Sequence, residues 1–190
     1  ALATIDATSR TLTGKPMIAL CESEALMTRI TGLTGSARVQ AILNAGTPTR
    51  LDAHGIEHVP ASGPVIIAST HPTGMFDYLA HAGALARLRP DLKVVATAEA
   101  LQLLDTETVV PVHVDNAYRA TSSRRTLRAM QAHLGQGGAL LVFGSGRVSH
   151  CRKGQLVEPE WRGGPTRVSQ LCDAPLIPAA LDARNSRYYY

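Results

Sequence analysis

A chain of 190 residues, 45% hydrophobic and 18% charged with a mean hydropathy of +0.01, suits one globular domain with a sizeable core, and its composition is neither that of a disordered chain nor that of a bundle of membrane spans. The net charge of +4 conceals an asymmetry: residues 1–118 carry 8 Lys and Arg against 11 Asp and Glu, whereas residues 119–190 carry 11 against 4. A basic second part suits an anionic partner such as a phosphate, an acidic carrier protein, an anionic membrane surface or nucleic acid.

In chain order, residues 1–16 show no clear period and read as an arm. From Pro16 to Gly32 the apolar positions Met17, Ile18, Cys21, Ala25 and Ile30 fall near helical spacing, and a second helix is predicted from Ser36 to Asn44, stopped by Gly46 and Pro48. These two helices read either as core packing or as an interfacial anchor. A short edge strand is expected within Leu51–Val59, then the turn from Pro60 to Pro64 and a buried strand over Val65–Ser69. A helix follows from Met75 or Phe76 to about Arg87, then a strand over Leu92–Ala96, a short helix over Glu99–Leu104 and a strand over Val109–Val114. Thr121–Leu134 reads as a capped helix ended by Gly135, Ala139–Phe143 as a buried strand followed by the loop Gly144–Arg147 and a polar stretch with Trp161, Pro165–Cys172 as a helix and Pro175–Leu181 as a strand. Strand and helix alternate, so the expected fold is a single α/β domain over residues 51–190, a largely parallel sheet flanked by helices, with the two N-terminal helices of residues 1–50 preceding it as part of one structural unit.

The chemistry concentrates where the strand Val65–Ser69 runs into a helix start, across Thr70, His71, Pro72, Thr73, Gly74, Met75, Phe76 and Asp77. In open α/β sheets, side chains and free backbone N–H groups converge outside the strand ends. An imidazole at the strand end and a carboxylate one helical turn inside suit a base and its orienting partner; the plain alternative is a turn histidine and an aspartate favouring a helix N-terminus. On the helix from Thr121, Arg124 and Arg128 share a face by their spacing and suit a phosphate, or else form a solvated basic face. Other patterns fail. Ser145 has Phe143, not glycine, at the first position of a nucleophile elbow, and no nucleotide-binding glycine run is complete. His54 and His58 lie four apart, but Gly55 and Pro60 oppose the helix that would align them on a metal. An aromatic content of 4% opposes stacking on single-stranded nucleic acid.

The stretch from Ser69 to Asp77 resembles the first motif of the glycerol-3-phosphate and lysophosphatidic acid acyltransferase superfamily, where a histidine and an aspartate act together in acyl transfer. Its His-Pro-x-Gly form is similar to that of haemolysin-like and ornithine-lipid-type members, with Thr70 where the family usually has Asn. Val110 to Asp115 with Arg119, Arg124, Arg125 and Arg128 resembles the second motif, where a basic residue contacts substrate phosphate. The third motif, commonly Phe-Pro-Glu-Gly, is matched by Phe143 and Gly146, with Gly144 at the proline position, Ser145 at the acid and Arg147 following. The apolar run around Pro178 resembles the fourth motif, which lines the acyl side of the site; Trp161 to Gly164 and Arg184 to Ser186 look like the ornithine-lipid-type branch.

The resemblance implies His71 and Asp77 as catalytic, and Gly74, Arg124, Arg128, Phe143, Gly144, Ser145, Gly146, Arg147 and Pro178 as substrate-binding. It implies an acyl thioester, acyl-CoA or acyl carrier protein, as donor, a glycerol-phosphate or lysophospholipid hydroxyl as acceptor, and neither metal nor cofactor. Backbone N–H groups near Gly74 or in the Gly144–Gly146 loop are the expected oxyanion donors. An amine acceptor of the lyso-ornithine kind, an inactive lipid- or carrier-binding module and a basic nucleic-acid-binding domain are the alternatives. Cys21, Cys151 and Cys172 are far apart without a Cys-x-x-Cys pair, and no run approaches the roughly 20 apolar residues of a membrane span. A cytoplasmic protein, peripheral on the inner face of the membrane, is the expectation, with no signal sequence at the N-terminus.

Overall fold

The computed structural model of the protein describes residues 2–14, 16–17, 19–45, 50–112 and 119–185. Three helices come first: α1 (Leu2–Thr13), α2 (Leu20–Ile30) and α3 (Gly35–Leu43). Then follow β1 (Val65–Ser69), α4 (Met75–Leu85), β2 (Lys93–Thr97), a 3-10 turn (Ala98–Gln102), β3 (Val109–Val112), α5 (Arg119–Gly135) and β4 (Ala139–Phe143). The chain closes with the short strands β5 (His150–Arg152) and β6 (Gln155–Val157), then α6 (Gly164–Cys172) and β7 (Leu176–Ala179).

Five strands form one wholly parallel sheet in the order β3-β2-β4-β1-β7, the α/β arrangement that the alternating pattern predicts. Side chains alternate across the sheet, so each strand feeds two cores. Val65 and Ile67 of β1 pack with Val94, Leu141 and Phe143 on the face covered by α3 and α4, through Val39, Tyr78 and Leu79. Ile66 packs with Val110 and Leu140 on the opposite face, against Leu134 of α5 and Val168 of α6. The near-continuous apolar runs of β1 and β4 follow from this burial on both faces.

Three expectations change. Residues 1–16 are not an arm: α1 is a helix without a buried apolar stripe, Ile5 and Leu12 being exposed, and polar contacts hold it to α2. Asp6 is buried and accepts the Leu20 N–H at 2.7 Å, and Arg10 pairs with Glu22. Leu51–Val59 contains a 3-10 turn, Ile56–His58, rather than an edge strand, and β7 takes the place beside β1. The polar stretch after β4 contains the β5–β6 hairpin, whose two-residue loop, Lys153 and Gly154, has positive φ at both positions as a tight hairpin requires. α3 docks on the sheet domain: Val39 is buried, Gly35 N–H donates to Asp105 Oδ2 at 2.7 Å, and Arg38 Nε donates to the Leu103 carbonyl at 2.7 Å.

One buried cation ties the amino ends of β1 and β4 to the end of α4. The Arg89 guanidinium, 2% exposed, donates to both carboxylate oxygens of Asp91 at 2.9 and 2.8 Å and to the carbonyls of Pro60, Gly63 and Gly137 at 3.0, 2.9 and 2.8 Å. Asp91 Oδ2 in turn accepts the Ala139 N–H at 3.0 Å, at the first residue of β4. A lysine cannot reproduce this planar fork. Arg89→Lys is expected to cost about 3 kcal/mol, because it leaves buried carbonyls and a carboxylate short of donors, and urea unfolding of the two proteins measures it.

Candidate functional site

The register of the sheet assembles the site. Ser69 lies abreast of Phe143 on one side and Ala179 on the other, so the chain leaving β1 emerges between the chains leaving β4 and β7. Two hydrogen bonds sew these exits together: Gly144 N–H to the Ser69 carbonyl at 3.0 Å, and Leu181 N–H to Thr70 Oγ1 at 3.0 Å. Thr70 thus serves as an acceptor for the segment that follows β7.

The turn from β1 into α4 passes through Gly74, at φ 99° and ψ −129°, a conformation that side-chain-bearing residues rarely adopt. That bend lets Asp77, in the first turn of α4, fold back over the turn. Its carboxylate is fully buried and accepts from four donors: His71 Nδ1 at 2.7 Å, Thr73 N–H, Gly74 N–H at 3.0 Å, and the Thr73 hydroxyl. Burial pushes the Asp77 carboxyl upward, but the hydrogen bonds from His71, Thr73 and Gly74 outweigh it and hold the group below its ordinary value. With Asp77 an acceptor, Nδ1 carries the ring proton and Nε2 presents a lone pair.

The rest of the pocket fixes the ring. His71 lies flat on Phe143, ring centroids 3.7 Å apart and planes 8° from parallel. Its peptide is clamped at both ends: the N–H donates to Glu158 Oε2 at 3.2 Å, and the carbonyl accepts the Ser149 N–H at 2.7 Å. The Ser149 hydroxyl also donates to Glu158 Oε2. Nε2 has no hydrogen-bond partner among the described residues, and the side chain is 15% exposed. A cavity of about 310 Å³ opens beside the turn, lined by Thr70, Pro72, Ser149, Glu158 and residues 180–184. Neither His71 nor Arg147 is part of its lining.

The structure thus brings together His71, Asp77, Gly74 and Phe143. Phe143, proposed as substrate-binding, is the platform under the imidazole. Gly144 is buried beneath Trp161, whose ring stands 2.1 Å from where a β-carbon would lie, so the proline usual at this motif position does not fit. Ser145 is 1% exposed and turned inward, its hydroxyl donating to the Arg147 carbonyl at 2.7 Å; Gly146 and Arg147 are exposed beyond it. Pro178 is exposed on the edge strand β7. Arg124 and Arg128 are exposed on α5, and no hydrogen bond joins them to the His71–Asp77 pair. The second-motif residues His113, Val114 and Asp115 and the final Ser186 lie outside the described residues.

Three of the expected oxyanion donors are engaged elsewhere: Gly74 N–H on Asp77, Gly144 N–H on Ser69 and Gly146 N–H on Phe143. The N–H groups of Met75 and Phe76, at the start of α4, and that of Ser145 are the remaining backbone donors near the turn. Sequence reasoning missed Thr73 and Glu158. A hydroxyl four residues before the aspartate was a usable signal for Thr73, whereas Glu158 acts 87 residues away from His71 and carries no local signature.

Two measurements test this geometry. The hydrogen bonds to Asp77 stabilise the fold above its ordinary value of 3.8 and are lost as pH falls through the lower folded-state value. Asp77→Asn should therefore be less stable than the parent by about 1–3 kcal/mol at neutral pH, with the urea midpoints converging in strong acid. Gly144→Ala should displace the Trp161 ring and destabilise the fold, and Trp161→Ala in the same chain should recover part of that loss, read as a double-mutant cycle.

A search of curated proteins returned no match. A family model described as Acyltransferase matches residues 50–182, which span β1 to β7 and both clamps on His71. With the paired histidine and aspartate at the head of this matched segment, the chain belongs to the Acyltransferase family, the glycerol-3-phosphate and lysophosphatidic acid acyltransferase superfamily.

Proposed function

We propose that this acyltransferase moves a fatty acyl group from a thioester to a hydroxyl of a glycerol-phosphate or lysophospholipid, with His71 as general base. The observation that carries this reading is the imidazole with its Nδ1 proton held by a buried carboxylate and its Nε2 unpartnered. Nε2 takes the acceptor proton as the acceptor oxygen attacks the thioester carbonyl. The tetrahedral intermediate then expels the thiolate, which recovers the proton from the imidazolium. Asp77 holds the tautomer and stabilises the cation formed in between. The donor is acyl-CoA or an acyl carrier protein, no cofactor takes part, and the His-Pro-x-Gly turn supports placement in the haemolysin-like branch.

A second reading, N-acylation of a lyso-ornithine-like amine, is favoured by Ser145, which stands at the acidic motif position and is turned inward. The surplus of basic residues after residue 118 and the exposed Trp161 support a peripheral setting on an anionic membrane. Among the described residues no helix is long and apolar enough to cross a membrane.

The purified protein should release free thiol from an acyl thioester when acceptors are added, and mass spectrometry of the lipids should show whether a hydroxyl or an amine was acylated. His71→Ala should lower turnover by about 10²–10⁴. An unimpaired His71→Ala protein would refute the general-base mechanism.

A further inference from the structure

The cavity beside the His71 turn holds two groups that the acyl-transfer step leaves unused. Glu158 spends Oε2 on the His71 N–H and the Ser149 hydroxyl, but its Oε1 is buried without a hydrogen-bond partner. A buried carboxylate oxygen without a donor is costly, and such atoms in native structures are met by a ligand, an ion or a water. Arg184, on the segment after β7, lines the same cavity, is exposed, and has no hydrogen bond or ion pair among the described residues. Leu156, Ala180, Leu181 and Ala183 contribute apolar or small surface, and the exposed Asp182 completes that segment. At about 310 Å³ the space suits a polar head group better than a fatty chain.

We propose that this cavity is the acceptor head-group site. Glu158 Oε1 accepts a hydrogen bond from a hydroxyl or ammonium of the acceptor, and Arg184 pairs with its phosphate or carboxylate. The placement rests on the acyl-transfer reading; the binding does not. Because the other oxygen of Glu158 holds the His71 peptide, acceptor and base are anchored to one carboxylate, and filling the cavity sets the position of the nucleophile relative to Nε2.

Two variants separate the roles. Glu158→Gln keeps one oxygen for the His71 N–H and replaces the unpartnered oxygen by an amide NH₂, a donor that would face a donor. Arg184→Ala removes the cation without touching His71. Glycerol 3-phosphate, with serine as a second probe carrying ammonium and carboxylate, is titrated into the full chain by calorimetry. The wild type should bind at least one probe, and each variant should weaken that binding about tenfold or more. Inorganic phosphate, if bound, should respond to Arg184→Ala alone. In turnover, both variants should raise the acceptor KM about tenfold and leave the thioester KM unchanged. A wild type that binds neither probe, or variants that match it in binding and acceptor KM, would overturn the head-group site. Probe binding lost in the variants of a protein that transfers no acyl group would leave the site standing and remove the acyl-transfer reading instead.

Discussion

A carboxylate sealed from solvent must be met by donors or it unfolds its surroundings, and Asp77 places that demand at the mouth of the sheet. Its two oxygens collect four donors from a stretch of seven residues, and satisfying them dictates the path of the turn. Gly74 adopts a backbone shape closed to other residues, Thr73 folds both its amide and its hydroxyl inward, and His71 is drawn to one tautomer. The same interactions that make the turn rigid hold the ring proton on Nδ1 and leave Nε2 without a partner among the described residues. The stability of the turn and the tautomer of His71 rest on one set of hydrogen bonds.

The parallel sheet supplies the remaining support from distant parts of the chain. β1 sits between β4 and β7, so three strand exits share one end of the sheet beside the imidazole. The exit of β4 gives an aromatic bed in Phe143, and the hairpin beyond it returns Ser149 and Glu158 to hold the His71 peptide. Trp161 then closes over Gly144, where the absence of a side chain is a packing requirement. Glycine at 144 and tryptophan at 161 fit each other as one local arrangement.

Most of the fold was legible in the sequence. The apolar runs of β1 and β4 announce burial on both faces, and the alternation of strands with helices leads to the parallel sheet. The pairing of His71 with Asp77 was legible too, because it is local. What stayed hidden has identifiable causes. α1 buries no apolar stripe and therefore leaves no periodic trace; its anchors, Asp6 and Arg10, are ordinary surface residue types. The β5–β6 strands are three residues each and largely exposed, too short for an alternating pattern to register. Glu158 reaches His71 only through tertiary folding, and the inward turn of Ser145 depends on a bond to the Arg147 backbone that composition does not reveal. Arg124 and Arg128 stand on one helix as their spacing suggests, yet on the layer opposite α4.

Pro178 has a consequence for the protein among its own copies. β7 borders the sheet, and its alternation is set by the Pro175 carbonyl bonding to Ile66, which turns residues 175, 177 and 179 toward β1 and residues 176 and 178 outward. The outward position at 178 is thus occupied by the one residue type that has no amide hydrogen to offer. An incoming strand from another molecule would find a single usable donor, at Leu176, along that border. This margin of the sheet is blunted against runaway self-pairing, even where many molecules crowd together.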